Sequence, residues 1–225
     1  MKIEYLVLNI LIISGPVLLS FDRKVRYVQY WPKVFMSLAV VGIFFIGWDI
    51  AVSGDHWDFN EQYTLPVRFL GLPPGEYLFF ITVPFSCLFI WQILVTGKKL
   101  IPPEKNRVGN AILLITAILF VIFLLTGKYY TALVFLSLVI TALLDMVFKI
   151  NLFYQKETYT YLALLTALIL LFNGFLTARP VVTYNPEVFS NIRIWTIPLE
   201  DFGYGYALVL LCTILFEKLK GNGDG

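Results

Sequence analysis

Residues 109–127 read GNAILLITAILFVIFLLTG, a stretch without a single charged side chain. An α-helix rises about 1.5 Å per residue, so roughly 20 mostly apolar residues cross the hydrocarbon core of a bilayer. This stretch is long enough to do so. Working outward from it, comparable runs lie at 4–21, 34–52, 76–96, 129–148, 158–178 and 200–217, giving seven candidate spans. Lipid offers no water to unpaired backbone groups, so runs of this length and uniformity are expected as helices. They are too long and too evenly apolar for the alternating strands of a barrel. The turn at Gly127-Lys128 between the fourth and fifth spans must be very tight.

Composition agrees. Of 225 residues 59% are hydrophobic and 14% charged, against about 25% charged in soluble domains, and mean hydropathy is +0.79. The expected class is an all-α integral membrane protein of about seven transmembrane helices. A net charge of +2 without a basic tract gives no reason to expect nucleic acid as a partner. Cys87 and Cys212 stand singly inside apolar runs, and the lone histidine, His56, lies in a short acidic loop, so no metal site is expected. The segment Met1 to Ser20 lacks a basic start and a small-residue cleavage site, and reads as a retained first helix. Twelve Lys and Arg residues follow spans one, three, five and seven, among them Arg23, Lys98, Lys149 and Lys218. Five (Lys2, Arg68, Lys128, Arg179 and Arg193) lie on the other side. The asymmetry predicts a multi-pass plasma-membrane protein with its N-terminus outside and its C-terminus cytoplasmic.

The chain also repeats itself. Asp22 and Asp145 end the first and fifth spans. Trp48-Asp49 and Phe172-Asn173 lie late in the second and sixth. Two loops of similar length follow, with Arg68 and Arg193, and each closes on a Pro-x-Glu: Pro74-Gly75-Glu76 and Pro198-Leu199-Glu200. These pairs are 123 to 125 residues apart. The order predicts two parallel three-helix repeats, 1–96 and 128–219, joined by a loop and linking helix at 97–127, with a flexible tail at 220–225. Both glutamates should then share one membrane face.

At that face Glu76 and Glu200 occupy first helical turns. A carboxylate there is favoured by free N–H groups and the helix dipole, so capping is one reading. The other is chemistry, because the motif is duplicated and Asp201 follows Glu200 directly. Adjacent carboxyls in a poorly solvated site do not both ionise readily. Asp49 is placed to hydrogen-bond to Glu76, with Asn173 as its neutral counterpart in the second repeat; a headgroup-facing polar pair is the alternative. Trp48, Phe79, Phe80, Trp195, Phe202 and Tyr204 lie near the same face. They fit either an interfacial aromatic belt or a lining whose π faces stabilise a cation. No dinucleotide fingerprint, no mid-span lysine in the seventh helix and no aspartate-rich diphosphate motif is present.

Leu72-Pro73-Pro74-Gly75-Glu76-Tyr77-Leu78-Phe79-Phe80 and Ile197-Pro198-Leu199-Glu200-Asp201-Phe202 resemble the lycopene cyclase domain, a membrane-embedded type found as two small subunits or one fused chain. The resemblance covers nearly the whole sequence. The family motif is Pro-x-Glu-Glu or Pro-x-Glu-Asp; the second copy keeps Glu200-Asp201, whereas Tyr77 follows Glu76 in the first. The resemblance implies proton-initiated, non-redox closure of the linear ends of lycopene to β-rings. Glu76 and Glu200 would be acid and base, Asp201 would share a proton and Asp49 would orient. Trp48, Asn173, Phe79, Phe80, Trp195, Phe202 and Tyr204 would hold the substrate. It implies a lipid-soluble carotene substrate within membrane lipid and no cofactor, with a reduced flavin as the open alternative. Homo-oligomers and contacts with other carotenoid enzymes are both compatible with it. A carotenoid hydratase of the same superfamily and a small-solute transporter with parallel repeats are the competing classes.

Overall fold

A computed structural model of the chain describes residues 3–101 and 107–221. Helices α1 (Glu4–Leu19), α2 (Trp31–Val52), α3 (Pro74–Val95), α4 (Arg107–Leu125) and α5 (Tyr129–Val147) are followed by α6 (Lys156–Leu168). A π-helical turn at Ile169–Asn173 carries α6 into the short α7 (Gly174–Ala178), and α8 (Leu199–Gly221) completes the bundle. The expected spans are all present, each within about a turn of its anticipated bounds. Six of them are long and apolar enough to cross a membrane. Helix α1, with 16 residues, is about 24 Å long at 1.5 Å per residue, short of a core of ~30 Å. Large apolar side chains such as Ile43, Phe44 and Leu125 point outward, as lipid contact requires. Helix α8 runs on through Lys220 and Gly221, so the first two residues of the expected flexible tail are helical. Residues 222–225 lie outside the described residues.

Local chemistry sets the boundaries. Pro73 is extended and Pro74 opens α3, where a missing N–H is harmless. Helix α2 ends where Ser53 turns extended and Gly54 takes φ +90°, a conformation that favours glycine. At the end remote from the glutamates, Asp22 accepts the amides of Lys24 and Val25, and Asp145 accepts the amide of Leu152. Both aspartates therefore serve as turn caps.

The duplication is a pseudo-two-fold with a shift of about 125 residues. Helix α1 lies along α3 as α5 lies along α8, while α2 packs on α8 and α6 packs on α3. The second helix of each repeat thus packs across onto the third helix of the other. Strands β1 (Trp57–Phe59) and β2 (Val182–Tyr184) mark the axis. They pair antiparallel with Trp57 opposite Tyr184, Asp58 opposite Thr183 and Phe59 opposite Val182. Because 58 + 125 = 183, the central pair consists of equivalent residues and the outer pairs exchange. The flanking bonds from Asn60 N to Val181 O and from Asn185 N to His56 O, each 2.9 Å, exchange likewise. A hairpin of β3 (Arg193–Ile194) and β4 (Ile197–Pro198) leads into α8, and a Phe69–Leu72 bridge leads into α3 in the equivalent place.

The two repeats share one core, which includes Tyr27, Leu88, Trp91, Tyr161, Leu208 and Phe216. Trp91 Nε1 donates to Glu217 Oε1 at 2.8 Å, and Lys220 Nζ pairs with the same oxygen at 2.8 Å. Since the repeats hold each other crosswise, co-expressed fragments 1–101 and 102–225 are expected to co-purify through a tag on either one. Each fragment expressed alone should be degraded. Stable accumulation of one fragment by itself would contradict this interlocked packing.

Candidate active site

An apolar bundle carries carboxyl groups inside only where donors meet them. A cavity of about 340 Å³ shows how this chain arranges that, a volume in the lower part of the ~300–1,000 Å³ range of small-molecule sites. Asp49 from α2, Glu76 from α3 and Asp201 from α8 line it, so carboxyl groups of both repeats meet in one space. All three are buried.

Each repeat builds the same device. Tyr5, at the start of α1, donates its hydroxyl to Glu76 Oε2 at 2.5 Å. Tyr130, at the start of α5, donates to Asp201 Oδ1 at 2.8 Å. Both pairs are 71 residues apart and related by 125, so the counterpart of Glu76 is Asp201 and not Glu200. Aligning Pro73 with Pro198 gives the same register, and Gly75 then stands where the second repeat has Glu200. The departure from the family motif therefore lies at Gly75 rather than Tyr77. A β-carbon on Gly75 would come within 2.6 Å of the Tyr5 ring. Asn9 fixes α1 against this turn, donating to Gly75 O at 3.1 Å and accepting from Thr82 at 2.5 Å.

The two carboxyls differ in what surrounds them. Asp201 accepts three donors: Tyr130, Asn173 Nδ2 at 2.7 Å and Tyr184 at 2.5 Å. Burial, and then the charge of Asp201, keep the Tyr184 phenol well above its ordinary pKa, so it remains a donor. Glu76 has Tyr5 and the carboxyl of Asp49, which is itself held by Tyr204 at 2.9 Å. Two carboxyls in hydrogen-bond contact require a proton between them. The expected Asp49–Glu76 contact is present, with Asn173 on Asp201 as its neutral counterpart.

Of the residues anticipated from sequence, Asp49, Glu76, Asp201, Asn173, Phe79 and Tyr204 line the cavity. Glu200 does not. Its Oε1 accepts from Thr131 at 2.6 Å and from the Ser190 amide at 2.8 Å, which ties α8 to α5 and to the loop before it. Trp48 stands behind the lining, 5.0 Å from the Tyr204 ring. Phe80 and Phe202 are buried in the protein core away from the cavity, and Trp195 is 70% exposed, lying over Gly174. Tyr5, Tyr130, Tyr184, Trp57, Phe59 and Phe172 complete the polar end of the cavity, and none of them was anticipated from sequence as a site residue. The 125-residue shift from Tyr5 to Tyr130 was the signal available for the first two. His56 lies in the cap, 6.2 Å from the Tyr130 ring, with burial lowering its pKa. Among the described residues no group of three or more His, Cys, Asp or Glu side chains is placed to hold a metal ion.

The fold and cavity define a multi-pass membrane protein that presents a buried carboxyl cluster to an apolar chamber. The family model for lycopene cyclase matches residues 3–94 and 127–219, one match in each repeat. The chain belongs to the lycopene cyclase family. No curated protein and no solved structure matches it.

The close approach at Gly75 is directly testable. Gly75→Ala is expected to push the Tyr5 ring aside and lower stability by ~1–3 kcal/mol, read as a fall in thermal midpoint in detergent. Tyr5→Ala in the same background should recover part of the loss. A Gly75→Ala midpoint equal to that of the unsubstituted protein would rule out this packing.

Proposed function

We propose that the chain is a lycopene β-cyclase, an intramolecular lyase that closes the linear ends of lycopene to β-rings in carotenoid biosynthesis. The observation that carries this reading is the unequal pair of carboxyls around one apolar chamber. Glu76 shares a proton with Asp49 and is the acid. It protonates the terminal double bond of the polyene, leaving a tertiary cation. The neighbouring double bond supplies its electron pair, and the six-membered ring closes with the charge moved into the ring. Asp201, whose three donors satisfy the ionised form, stabilises that charge and accepts the proton whose loss restores a double bond. One proton enters and one leaves, so the product is an isomer and the scheme balances without a redox cofactor.

The rings of Trp57, Phe79, Tyr130, Tyr184 and Tyr204 border the same space and offer π faces to the cation, each worth ~0.5–2 kcal/mol. General acid–base action accounts for roughly 10²–10⁴-fold of the rate, and electrostatic stabilisation in the water-poor chamber for more. Glu200 acts as a positioning residue through Thr131 and Ser190. The excess of Lys and Arg on the opposite face supports a plasma-membrane protein with the cavity toward the outer leaflet, N-terminus outside and C-terminus cytoplasmic. The substrate reaches the chamber from membrane lipid.

Expression in a lycopene-accumulating bacterium, with pigments resolved by chromatography and mass detection, tests the assignment. The unsubstituted chain should give cyclic product of unchanged mass. Glu76→Gln, Asp49→Asn and Asp201→Asn should each cut conversion by ~10²–10⁴-fold, whereas Glu200→Gln should retain much of it. A product heavier by one water would mean hydration instead. Unaltered lycopene beside folded protein would overturn the proposal.

A further inference from the structure

The cavity does not end at the carboxyls. Along α3 its lining runs from Glu76 through Phe79, Val83 and Ser86 to Ile90. The 14 steps from Glu76 to Ile90 correspond to roughly 21 Å of helix at 1.5 Å each. The polar groups cluster at one end, and the walls beyond it are apolar, contributed by α1, α3, α6 and α8. Such a slot binds an elongated hydrocarbon lengthwise, with its terminus among the acids.

The lining helices are not packed equally. Helix α1 lies closely along α3, and among the described residues no comparable packing joins it to α6 or α7. Between α1 and this sixth span runs a second groove, apolar except for Glu4 and lined by Val7, Leu8 and Leu11 on one side and Leu171, Phe172 and Phe175 on the other. Leu11 and Phe172 line both the groove and the inner slot, so the two spaces meet there. Leu11 is 63% exposed and Leu171 is 63% exposed, both on the lipid-facing surface. The π-helical turn Ile169–Asn173 supplies Leu171 and Phe172 to this border and Asn173 to the site itself. Helix α2, its counterpart, is α-helical throughout. Wide turns of this kind are frequent at functional sites. The Glu4–Arg179 ion pair, at 2.7 Å, bridges α1 and the end of α7, and Glu4 itself lines the groove.

We infer that this gap is a lateral portal, through which one end of a linear polyene passes from the bilayer between α1 and the π-helical turn into the slot. The remaining tail lies in the Leu11–Leu171 groove and in lipid. This inference rests on the cyclase reading for the substrate's identity. The slot takes a terminus and not a whole carotene, so each end is processed in a separate visit and the one-ringed product is released between visits.

The portal can be closed reversibly. A Leu11→Cys/Leu171→Cys protein in nanodiscs, joined by a cleavable bifunctional thiol reagent, is compared with each single-cysteine protein treated alike. The native Cys87 and Cys212 are common to all three. Two readouts are taken: cyclic product formed, and quenching by added lycopene of the part of the tryptophan fluorescence that Trp57→Phe removes, which reports occupancy beside Trp57 without turnover. Cross-linking should slow both at least about tenfold in the double variant alone, and cleavage of the linker should restore them. Ile43→Ala, on an exposed lipid-facing position of α2, should leave both unchanged. Full quenching in the cross-linked protein, or an open protein that lycopene fails to quench, would overturn the portal. Portal-dependent quenching without cyclic product would instead support the portal and refute the cyclase reading.

Discussion

A carboxyl group out of water is costly unless donors reach it, and three such groups share one chamber in this bundle. Meeting that cost determines much of the surrounding architecture. The first turns of α1 and α5 must present Tyr5 and Tyr130 to α3 and α8. The loops must fold back so that Tyr184 and the start of each third helix converge. The β1–β2 pairing on the pseudo-two-fold axis does this for both loops at once, because each strand is the other's equivalent. Crosswise packing of α2 on α8 and α6 on α3 then brings Asp49 and Asn173 to the same level.

On this duplicated frame a few differences divide the labour. Where the first repeat has Asp49 and Phe79, the second has Asn173 and Tyr204. Asn173 donates to Asp201, which in the proposed scheme favours an ionised carboxylate in the second repeat. Asp49 can bond to Glu76 only through a shared proton, which in the proposed scheme makes the first repeat the acid. Tyr204 crosses from the second repeat to support Asp49, which makes the acid of one half dependent on the other. The tyrosine–carboxyl device is symmetric, whereas its remaining partners are not.

The spans, the repeat and the Asp49–Glu76 contact were legible in the sequence because each rests on a strong local signal: uniform apolarity, fixed spacing, or an ionisable group inside an apolar run. The identity of the second carboxyl was not. Pro-x-Glu occurs in both loops, yet the prolines that end the extended segments are Pro73 and Pro198, which shifts the register by one residue. On a helix one residue is a rotation of about 100°, enough to turn Glu200 out of the cavity and Asp201 into it. The tyrosines were hidden for a different reason. Aromatic residues are common at membrane interfaces whatever their role, so Tyr5 and Tyr130 stand out only once their spacing is set beside that of Glu76 and Asp201.

Placing these acids at one end of an apolar slot also explains why a membrane site suits this chemistry. A cation formed from an alkene is trapped by the nearest nucleophile, and in water that nucleophile is solvent. Here the groups facing the chamber include π faces and a carboxyl engaged by three donors, and the proposed substrate brings its own next double bond. The carboxylate's hydrogen bonds hold it in place, so it steadies the charge with little tendency to attack carbon. Ring closure then meets less competition than it would in solution. In the proposed reaction the proton finally leaves toward Asp201, whose carboxyl is met by three donors.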